Sequence, residues 1–334
     1  MDRASTVSDI ARIAGCAPTT VSRYLNKSGY VGEKTADRIR EAIEQLEYRP
    51  NFLARSLRSR VNRTIFMAVP NIENPFFASF YKVVQSFAHS HGYFLIAYDT
   101  GAVAADEFRA LSSAAELNVC GIILFSDNFT VDLHAELERI HIPAVVNDYE
   151  ACGFDSVHGE RNRSAYIATR HLLDCGHRRI GFVGGSRNTR IEKSRLGGFH
   201  QAMSEACVSC RDEYMVEGQF TIEAGKSAGM HYCGLEILPT AVCCANDLLA
   251  LGLITCFHER GIRVPHDVSV VGIDNIIYDE ACFPPLTSVT SDPEVMAEKA
   301  FAMLYSRISG DYAGPPRDVI VEHRLVIRGS TQCR

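Results

Sequence analysis

The chain has 334 residues, 46% hydrophobic and 22% charged, which is ordinary for a globular protein of two or three domains. No apolar run approaches the ~20 residues of a membrane span, and the first residues, Met1–Thr6, lack the apolar stretch of a secretory signal. We therefore expect a cytoplasmic, nucleoid-associated protein without a membrane partner. The net charge of −6 conceals a basic head, because residues 1–63 hold twelve basic and seven acidic side chains. An acidic body follows, and this asymmetry predicts a nucleic-acid-binding module joined to another domain.

The twelve cysteines give no metal or disulfide signature. The single C-x-x-C, Cys207 and Cys210, has no second pair at zinc-ligand spacing. Several others fall in apolar runs, namely Cys120, Cys243, Cys244 and Cys256. We therefore expect reduced, half-buried thiols, and no metal or cofactor.

The first fifty residues have the spacing of short helices. Thr6 is placed to cap a helix with Asp9 as its capping-box partner, and Gly15 is placed to end it. Apolar residues recur at helical spacing between them, namely Val7, Ile10, Ala11 and Ala14.

A second helix is predicted from Pro18, which suits a first helical turn because that position needs no N–H donor. Its exposed face carries Thr19, Ser22 and Arg23, which suit base edges and phosphates. A third helix is predicted from Glu33 to Leu46. A generic three-helix bundle has the same apolar pattern, but the positive charge favours a helix-turn-helix with the second helix in the major groove.

These residues resemble the lactose/galactose repressor family. The matching blocks, in the family's order and spacing, are VSDIARIAG from Val7, TVSRYLN from Thr20, YRPN from Tyr48 and ARSL from Ala54. The resemblance implies double-stranded, pseudo-palindromic operator DNA as partner. The DNA-binding candidates are Thr6, Pro18, Thr19, Thr20, Ser22, Arg23, Asn26, Tyr48, Asn51, Ala54, Arg55 and Leu57.

The chain departs from the family pattern at three places in this head. Ala17 and Gly32 stand where the family usually has a capping serine, and Ala is a poor cap, costing ~1 kcal/mol. Pro18 occupies a position where relatives often place a base-reading side chain, so the operator preference is left open.

Residues 51–62 are expected to form a hinge. Alone, so short a segment is predicted to be a flexible linker, because a nine-residue helix is marginal in water. The resemblance implies instead a helix that forms on DNA, with Leu57 inserting into the minor groove and kinking the duplex.

From residue 63 the pattern changes to alternating strands and helices, which predicts parallel sheets covered on both faces. The predicted strands are Thr64–Val69, Phe94–Tyr98, Val119–Phe125, Pro143–Val146, Ile180–Val183, Ala241–Ala245 and Val268–Ile273. The predicted helices include Phe76–His89, Ala104–Glu116, Ser164–Leu173, Asp247–Arg260 and Pro293–Ile308. Some 270 residues are many for one sheet, so two similar lobes with a cleft between them are expected.

Residues 64–329 resemble periplasmic sugar-binding proteins, the fold that the repressor family uses for its effector domain. The markers are PNIENPFF from Pro70, CGHRRIGF from Cys175, SRLGGF from Ser194, ANDLLALG from Ala245 and VGIDN from Val271. Glu160 stands where the family has Asp, and Ser291 where it commonly has Gln. The fold expected is thus a small all-α helix-turn-helix head, residues 1–50, plus a two-lobed α/β effector-binding and dimerisation domain, residues 63–334.

Polar residues at strand ends are the effector-binding candidates, since sugar hydroxyls need fixed donors and acceptors and aromatic faces pack on sugar C–H groups. They are Asn74, Phe76, Phe77, Asp127, Arg195, Asn246 and Asp274. Three of them, Arg195, Asn246 and Asp274, also match ligand-contacting family positions. We expect Asp247 to cap the following helix. Phe77 as plain core and Asp127 as a loop cap remain alternatives.

The function predicted is that of a transcription regulator, a repressor that a sugar or sugar-phosphate inducer releases from its operator. An enzyme is disfavoured by the absence of nucleophile-elbow, P-loop, zinc-protease and dinucleotide motifs. A transport protein is disfavoured by the basic head and the missing signal. A purine-like corepressor that promotes DNA binding remains the alternative. We expect a homodimer, because the chain stops soon after Arg328 without the leucine-heptad tail of tetrameric relatives.

Overall fold

The computed structural model describes residues 6–26, 29–46, 48, 62–126, 129–150, 153–160, 162–185 and 189–334. Contacts divide the chain into two compact units, Met1–Asn62 and Arg63–Arg334. Among the described residues, no helix is both long enough and apolar enough to cross a membrane.

Within the described part of the first unit, the chain forms three helices, α1 (Val7–Ala14), α2 (Pro18–Asn26) and α3 (Glu33–Gln45). Thr6 caps α1 in a reciprocal capping box with Asp9, as predicted. Gly15 ends α1 at φ 60°, a left-handed conformation that favours glycine. The apolar sides of the three helices meet in one small core, formed by Ile10, Ala11, Ala14, Val21, Ile39 and Ala42.

The first lobe of the second unit is a parallel sheet of six strands. They are β1 (Thr64–Val69), β2 (Phe94–Asp99), β3 (Gly121–Phe125), β4 (Ala144–Asn147), β5 (Asp155–Gly159) and β11 (Asp318–Val321). Their order across the sheet is β11-β5-β4-β3-β1-β2. Alternate residues of β1 and β3 face two separate apolar cores, so the sheet is covered on both faces. The covering helices are α4 (Pro75–Ser90), α5 (Ala104–Glu116), α6 (Val131–Ile140) and α11 (Pro293–Ile308).

The second lobe has the same plan. Its strands are β6 (Ile180–Gly184), β7 (Met215–Glu217), β8 (Ala241–Cys244), β9 (Ser269–Ile273), β10 (Thr287–Thr290) and β12 (Arg324–Val326). They lie in the order β12-β10-β9-β8-β6-β7, and of these six described strands β12 alone runs antiparallel to its neighbour. Its helices are α7 (Arg163–Asp174), α8 (Arg190–Glu205), α9 (Ile222–Cys233) and α10 (Asp247–Glu259).

The chain passes between the lobes three times, and this positions the cleft. The crossings lie between β5 and α7, between β10 and α11, and between β11 and β12. The predicted fold class is confirmed: an all-α head with a two-lobed α/β body of largely parallel sheets. The predicted strands are present to within two residues at each end, but the prediction omitted β5, β7, β10, β11 and β12.

Candidate functional site

Helix α2 presents the candidate DNA-reading side chains of the head. Thr19 and Arg23 lie one turn apart and are exposed, as is Pro18, while Thr20 and Ser22 are half-buried. The aliphatic stem of Arg23 runs close to Gly29, where an added Cβ would meet its Cδ at 3.0 Å. This packing orients the guanidinium and leaves it exposed.

Two further DNA-binding candidates in the head are already engaged in the fold. The Thr6 hydroxyl donates to the Asp9 carboxylate at 2.6 Å, so it serves first as a helix cap. The backbone N–H of Tyr48 donates to the carbonyl of Ile43, and its ring is half-buried against the core of the head. The remaining candidates, the side chain of Asn26 and residues Asn51, Ala54, Arg55 and Leu57, lie outside the described residues.

A cavity of about 720 Å³ lies between the two lobes, at the carboxyl ends of their strands. Ligand sites in proteins commonly have this size and this place in an open α/β sheet. Every described effector candidate lines it, namely Asn74, Phe76, Phe77, Arg195, Asn246 and Asp274. Asp127 lies outside the described residues.

A buried ion pair forms the floor of the cavity on the second lobe. Arg195 of α8 donates from Nη1 to the carbonyl of Ala245 at 2.7 Å and from Nη2 to Asp274 Oδ1 at 3.2 Å. Its Nε is buried and has no partner among the described residues. Asp274 directly follows β9 at φ 119°, which strains any residue but glycine. Burial raises the pKa of Asp274, and Arg195 and Asn74 oppose that effect.

Asn74 links this floor to the first lobe. Its Oδ1 accepts from the backbone N–H of Phe76 at 3.0 Å and so caps α4. Its Nδ2 donates across the cleft to Asp274 Oδ2 at 3.4 Å. A second contact crosses the mouth of the cleft, where the Arg190 guanidinium stacks 3.8 Å from the ring centre of Tyr149.

The aromatic surface of the cavity differs from the one expected. Phe76 and Phe77 touch the cavity, but they are 6% and 9% exposed and pack edge-on against Phe125. Phe220, which the sequence analysis did not single out, is half-buried in the cleft with the Arg195 guanidinium 5.5 Å from its ring centre. Its ring lies against Gly185, where an added Cβ would stand 2.5 Å from it. Phe220 therefore offers the better ring face for a ligand.

His323 is a second cleft residue that the sequence analysis missed. It lies on the crossing between β11 and β12, and its ring covers Gly159 so closely that no Cβ fits there. Its Nδ1 is buried without a partner among the described residues. Burial, with the charges of Arg195 and Arg163, lowers the pKa of His323 to about 4, so the ring is neutral at pH 7. An isolated histidine in a polar segment gives no sequence signal.

The cap of α10 corrects one prediction. Asn246, not Asp247, caps this helix, because Asn246 Oδ1 accepts from the backbone N–H of Leu249 at 2.9 Å. Asp247 is fully buried instead, accepting from the N–H of Ile276 and the hydroxyl of Ser288. Burial raises its pKa well above the usual value, and burial raises the pKa of the neighbouring Asp279 to about 7. The sequence pattern could not distinguish two adjacent capping residues.

Three residues of the types found in hydrolase triads also meet near the cleft. Asp318 Oδ1 accepts from Ser156, and it lies 2.9 Å from His158 Nε2. A triad needs the imidazole between serine and carboxylate, so that it can take the serine proton. Here the carboxylate stands between the other two, so the serine is not activated by this arrangement.

Two family models match the chain. The model described as "Bacterial regulatory proteins, lacI family" covers residues 6–51. The model described as "Periplasmic binding protein-like domain" covers residues 169–331. The matches fall in the head and in the two-lobed body.

Full-length relatives and solved structures agree with these matches. The HTH-type transcriptional repressor PurR of Vibrio campbellii is 34% identical over 98% of this chain and 99% of its own length. PurR of Vibrio cholerae is 36% identical over 91% of each chain. The Lac repressor dimer bound to operator and the anti-inducer ONPF superposes with a TM-score of 0.85 at 25% identity, over 99% of this chain and 100% of that one. The CelR–cellobiose complex gives a TM-score of 0.72 at 26% identity, over 98% and 99%.

The sequence relatives and the superposed structures each cover more than 90% of this chain, and the two family models match the head and the two-lobed body separately. The protein therefore belongs to the lacI family of bacterial regulatory proteins and is a ligand-responsive, DNA-binding transcription repressor.

Proposed function

We propose that the effector is a sugar, that it binds in the cleft, and that its binding releases the repressor from a pseudo-palindromic operator. The observation that carries this proposal is the fixed network of Arg195, Asp274 and Asn74 on the cavity floor. A polyhydroxylated ligand needs several donors and acceptors held at close range, and these side chains supply both. The half-buried ring of Phe220 beside them suits the C–H face of a sugar.

A purine-like corepressor that promotes DNA binding is the second candidate. The ring face of Phe220 also suits a flat heteroaromatic ligand, and an arginine–aspartate pair also suits its hydrogen-bonding edge. The relatives named HTH-type transcriptional repressor PurR also support this second candidate. The two candidates differ in the sign of the response, because an inducer weakens operator binding and a corepressor strengthens it.

The proposed mechanism uses the contacts that cross the cleft. Asn74–Asp274 and Tyr149–Arg190 join the lobes, and a ligand between the lobes adds to or replaces them. A ligand shifts the lobe arrangement only by the difference in its affinity for two arrangements. We propose that this shift is transmitted through the hinge, residues 51–62, and so changes the affinity of the head, residues 1–50, for DNA.

We propose a homodimer as the DNA-binding species. Strand β2 is a sheet edge that exposes Phe94 and Ile96, and Ile277 and Phe283 are exposed on the second lobe. Contiguous exposed apolar patches mark association surfaces, and we propose that these side chains contribute to such a patch in the dimer. A two-fold dimer presents two heads to two half-sites, which matches a pseudo-palindromic operator. We further propose that the protein acts in the cytoplasm and catalyses no reaction.

The test is operator binding by fluorescence anisotropy, with a duplex that the purified protein selects from a random pseudo-palindromic library. Hexoses, pentoses, their phosphates and free nucleobases are titrated separately. We expect a sugar to weaken binding by 5-fold or more, and the Asp274→Asn variant to bind the operator normally without responding. Asp267→Asn, which removes a surface carboxylate paired with Arg263, is the matched control and should respond normally. A nucleobase that tightens binding would replace the inducer proposal with the corepressor one.

A further inference from the structure

Two cysteines that are distant in the sequence touch at the end of the second lobe away from the cleft. Cys175 follows the last residue of α7, and Cys333 lies in the segment 328–334. Their Sγ atoms are 2.6 Å apart. Both are free thiols, among eleven in the described residues.

The surrounding hydrogen bonds hold this pair together. The backbone N–H of Arg334 donates to the carbonyl of Cys175 at 2.8 Å. Nε2 of the buried His177 lies 3.0 Å from the carbonyl oxygen of Gln332. Further along, Ser330 accepts from the N–H of Thr287 and donates to the carbonyl of Val270. The segment is thus fixed on both sides of Cys333, and the two thiols meet without any rearrangement of the backbone.

The two thiols differ in accessibility. Cys333 is exposed, whereas Cys175 is buried, and burial together with the neighbouring Cys333 raises the pKa of Cys175 to about 11. Oxidants attack accessible thiolates first. Cys333 is therefore the thiol that meets an oxidant, and Cys175 is the one that resolves the product.

We propose that Cys175 and Cys333 form a reversible disulfide when the protein meets a hydroperoxide, and that this bond ties the segment 328–334 to the end of α7. The Cys333 thiolate attacks one peroxide oxygen, the O–O bond breaks, and a sulfenic acid and an alkoxide or hydroxide form. The Cys175 sulfur then attacks the Cys333 sulfur, the S–O bond breaks, and a disulfide and water form. Two electrons pass from the thiols to the peroxide, and a dithiol reverses the reaction.

A reversible disulfide between Cys175 and Cys333 departs from the expectation of reduced, half-buried thiols. No spacing pattern could have indicated the pair, because the fold brings together two residues that are 158 positions apart in the sequence. The site lies at the amino ends of its strands, beside Ser269 and Thr240, whereas the effector cavity lies at their carboxyl ends. The disulfide is therefore expected to act on the stability of this lobe rather than on ligand contact.

The experiment uses the reduced full-length protein and stoichiometric hydrogen peroxide. After denaturation and alkylation, peptide mapping should find Cys175 joined to Cys333, with a mass loss of about 2 Da that dithiothreitol reverses. The oxidised protein should melt several degrees higher, because the bond closes a long loop. Carboxypeptidase should release residues from 328–334 more slowly after oxidation.

Two serine variants separate this site from other thiols. Cys333→Ser, at an exposed position, should abolish the cross-link, the melting shift and the protection from carboxypeptidase. Cys207→Ser is the matched control, since Cys207 is also exposed, and it should keep all three. Alkylated Cys175 in the oxidised protein, a cross-link between Cys207 and Cys210 in its place, or oxidation of Cys333 only to sulfinic acid would each overturn the proposal.

Discussion

Replacing Arg195 by methionine removes the charge that balances Asp274 while keeping a side chain of similar length. Asp274 is 8% exposed, and its other side-chain hydrogen bond within the described structure comes from the Asn74 amide at 3.4 Å. Breaking one side of a buried ion pair costs about 3–5 kcal/mol, because the other charge stays buried without compensation. At roughly 2 °C per kcal/mol in a chain of this size, we expect Arg195→Met to melt about 6–10 °C lower.

The double variant Arg195→Met/Asp274→Asn tests the cause of that loss. It removes both charges of the pair, so it should be more stable than Arg195→Met alone, with a coupling of about 1–3 kcal/mol in a double-mutant cycle. The loss of stability in Arg195→Met should also be smaller in acid, because a protonated Asp274 carries no charge for the guanidinium to balance. Urea unfolding at pH 5 and pH 7.5 measures both effects.

The operator response of the same variants tests the site. Each should bind the operator near the wild-type level and lose its response to the effector, because the floor of the cavity no longer offers paired charges. Additive stability changes in the cycle would refute the ion-pair reasoning. A wild-type response from Arg195→Met at wild-type effector concentrations would refute the assignment of the effector site.

Four other predictions concern the head, the hinge and the pH dependence of stability. Arg23→Ala should weaken operator binding by about 1–3 kcal/mol and relax sequence discrimination, and affinity should fall steeply with salt in titrations by anisotropy. Leu57→Ala should weaken operator binding but leave the melting temperature unchanged; a large melting shift would place Leu57 in a core. Burial alone would raise the pKa of Asp155, but hydrogen bonds from Arg307 and Arg317 outweigh burial and hold that pKa at about 2. The ionised Asp155 therefore stabilises the fold above about pH 4, and this stabilisation is lost as the pH falls toward 2. Asp155→Asn should therefore lower the free energy of unfolding by about 3 kcal/mol at pH 7 and by little at pH 2, measured by urea titration. His323 is buried neutral with a lowered pKa, so the protein should lose up to about 3 kcal/mol as pH falls from 6.5 to 4; His323→Gln should remove that loss and change effector affinity in calorimetric titrations.

Strong local patterns made much of the fold predictable. The capping box of Thr6 and Asp9 and the left-handed Gly15 are local signals, and the structure contains both. Central strands such as Gly121–Phe125 are continuously apolar because helices cover both faces of their sheet. The resemblance to the family then placed Arg195 and Asp274 in one cavity, although 79 residues separate them.

The strand and the cleft residues that the sequence did not predict have a common physical cause. Each depends on contacts with residues that are distant in the sequence. Strand Asp155–Gly159 is buried yet polar, and its sequence resembles a loop. Asp155 is tolerated there because Arg307 and Arg317 supply charged hydrogen bonds from more than 150 residues away. Phe220 and His323 enter the cleft from segments with no periodic pattern. A sequence pattern reports what neighbours along the chain do, and these residues depend on neighbours in space.

The walls of the cavity explain how a ligand can bias the arrangement of the lobes. All three crossings between the lobes contribute to the cavity, through Glu160, Ser291 and His323. Any rotation of one lobe against the other must turn these segments, so a ligand that touches them makes different contacts in each arrangement. Glu160 and Ser291 are also the two positions at which the sequence analysis expected the body to differ from the family. We therefore expect the identity of the effector, and the size of the free-energy difference that it imposes, to be set largely at the crossings, with Arg195 and Asp274 supplying the anchoring common to any ligand of this cleft.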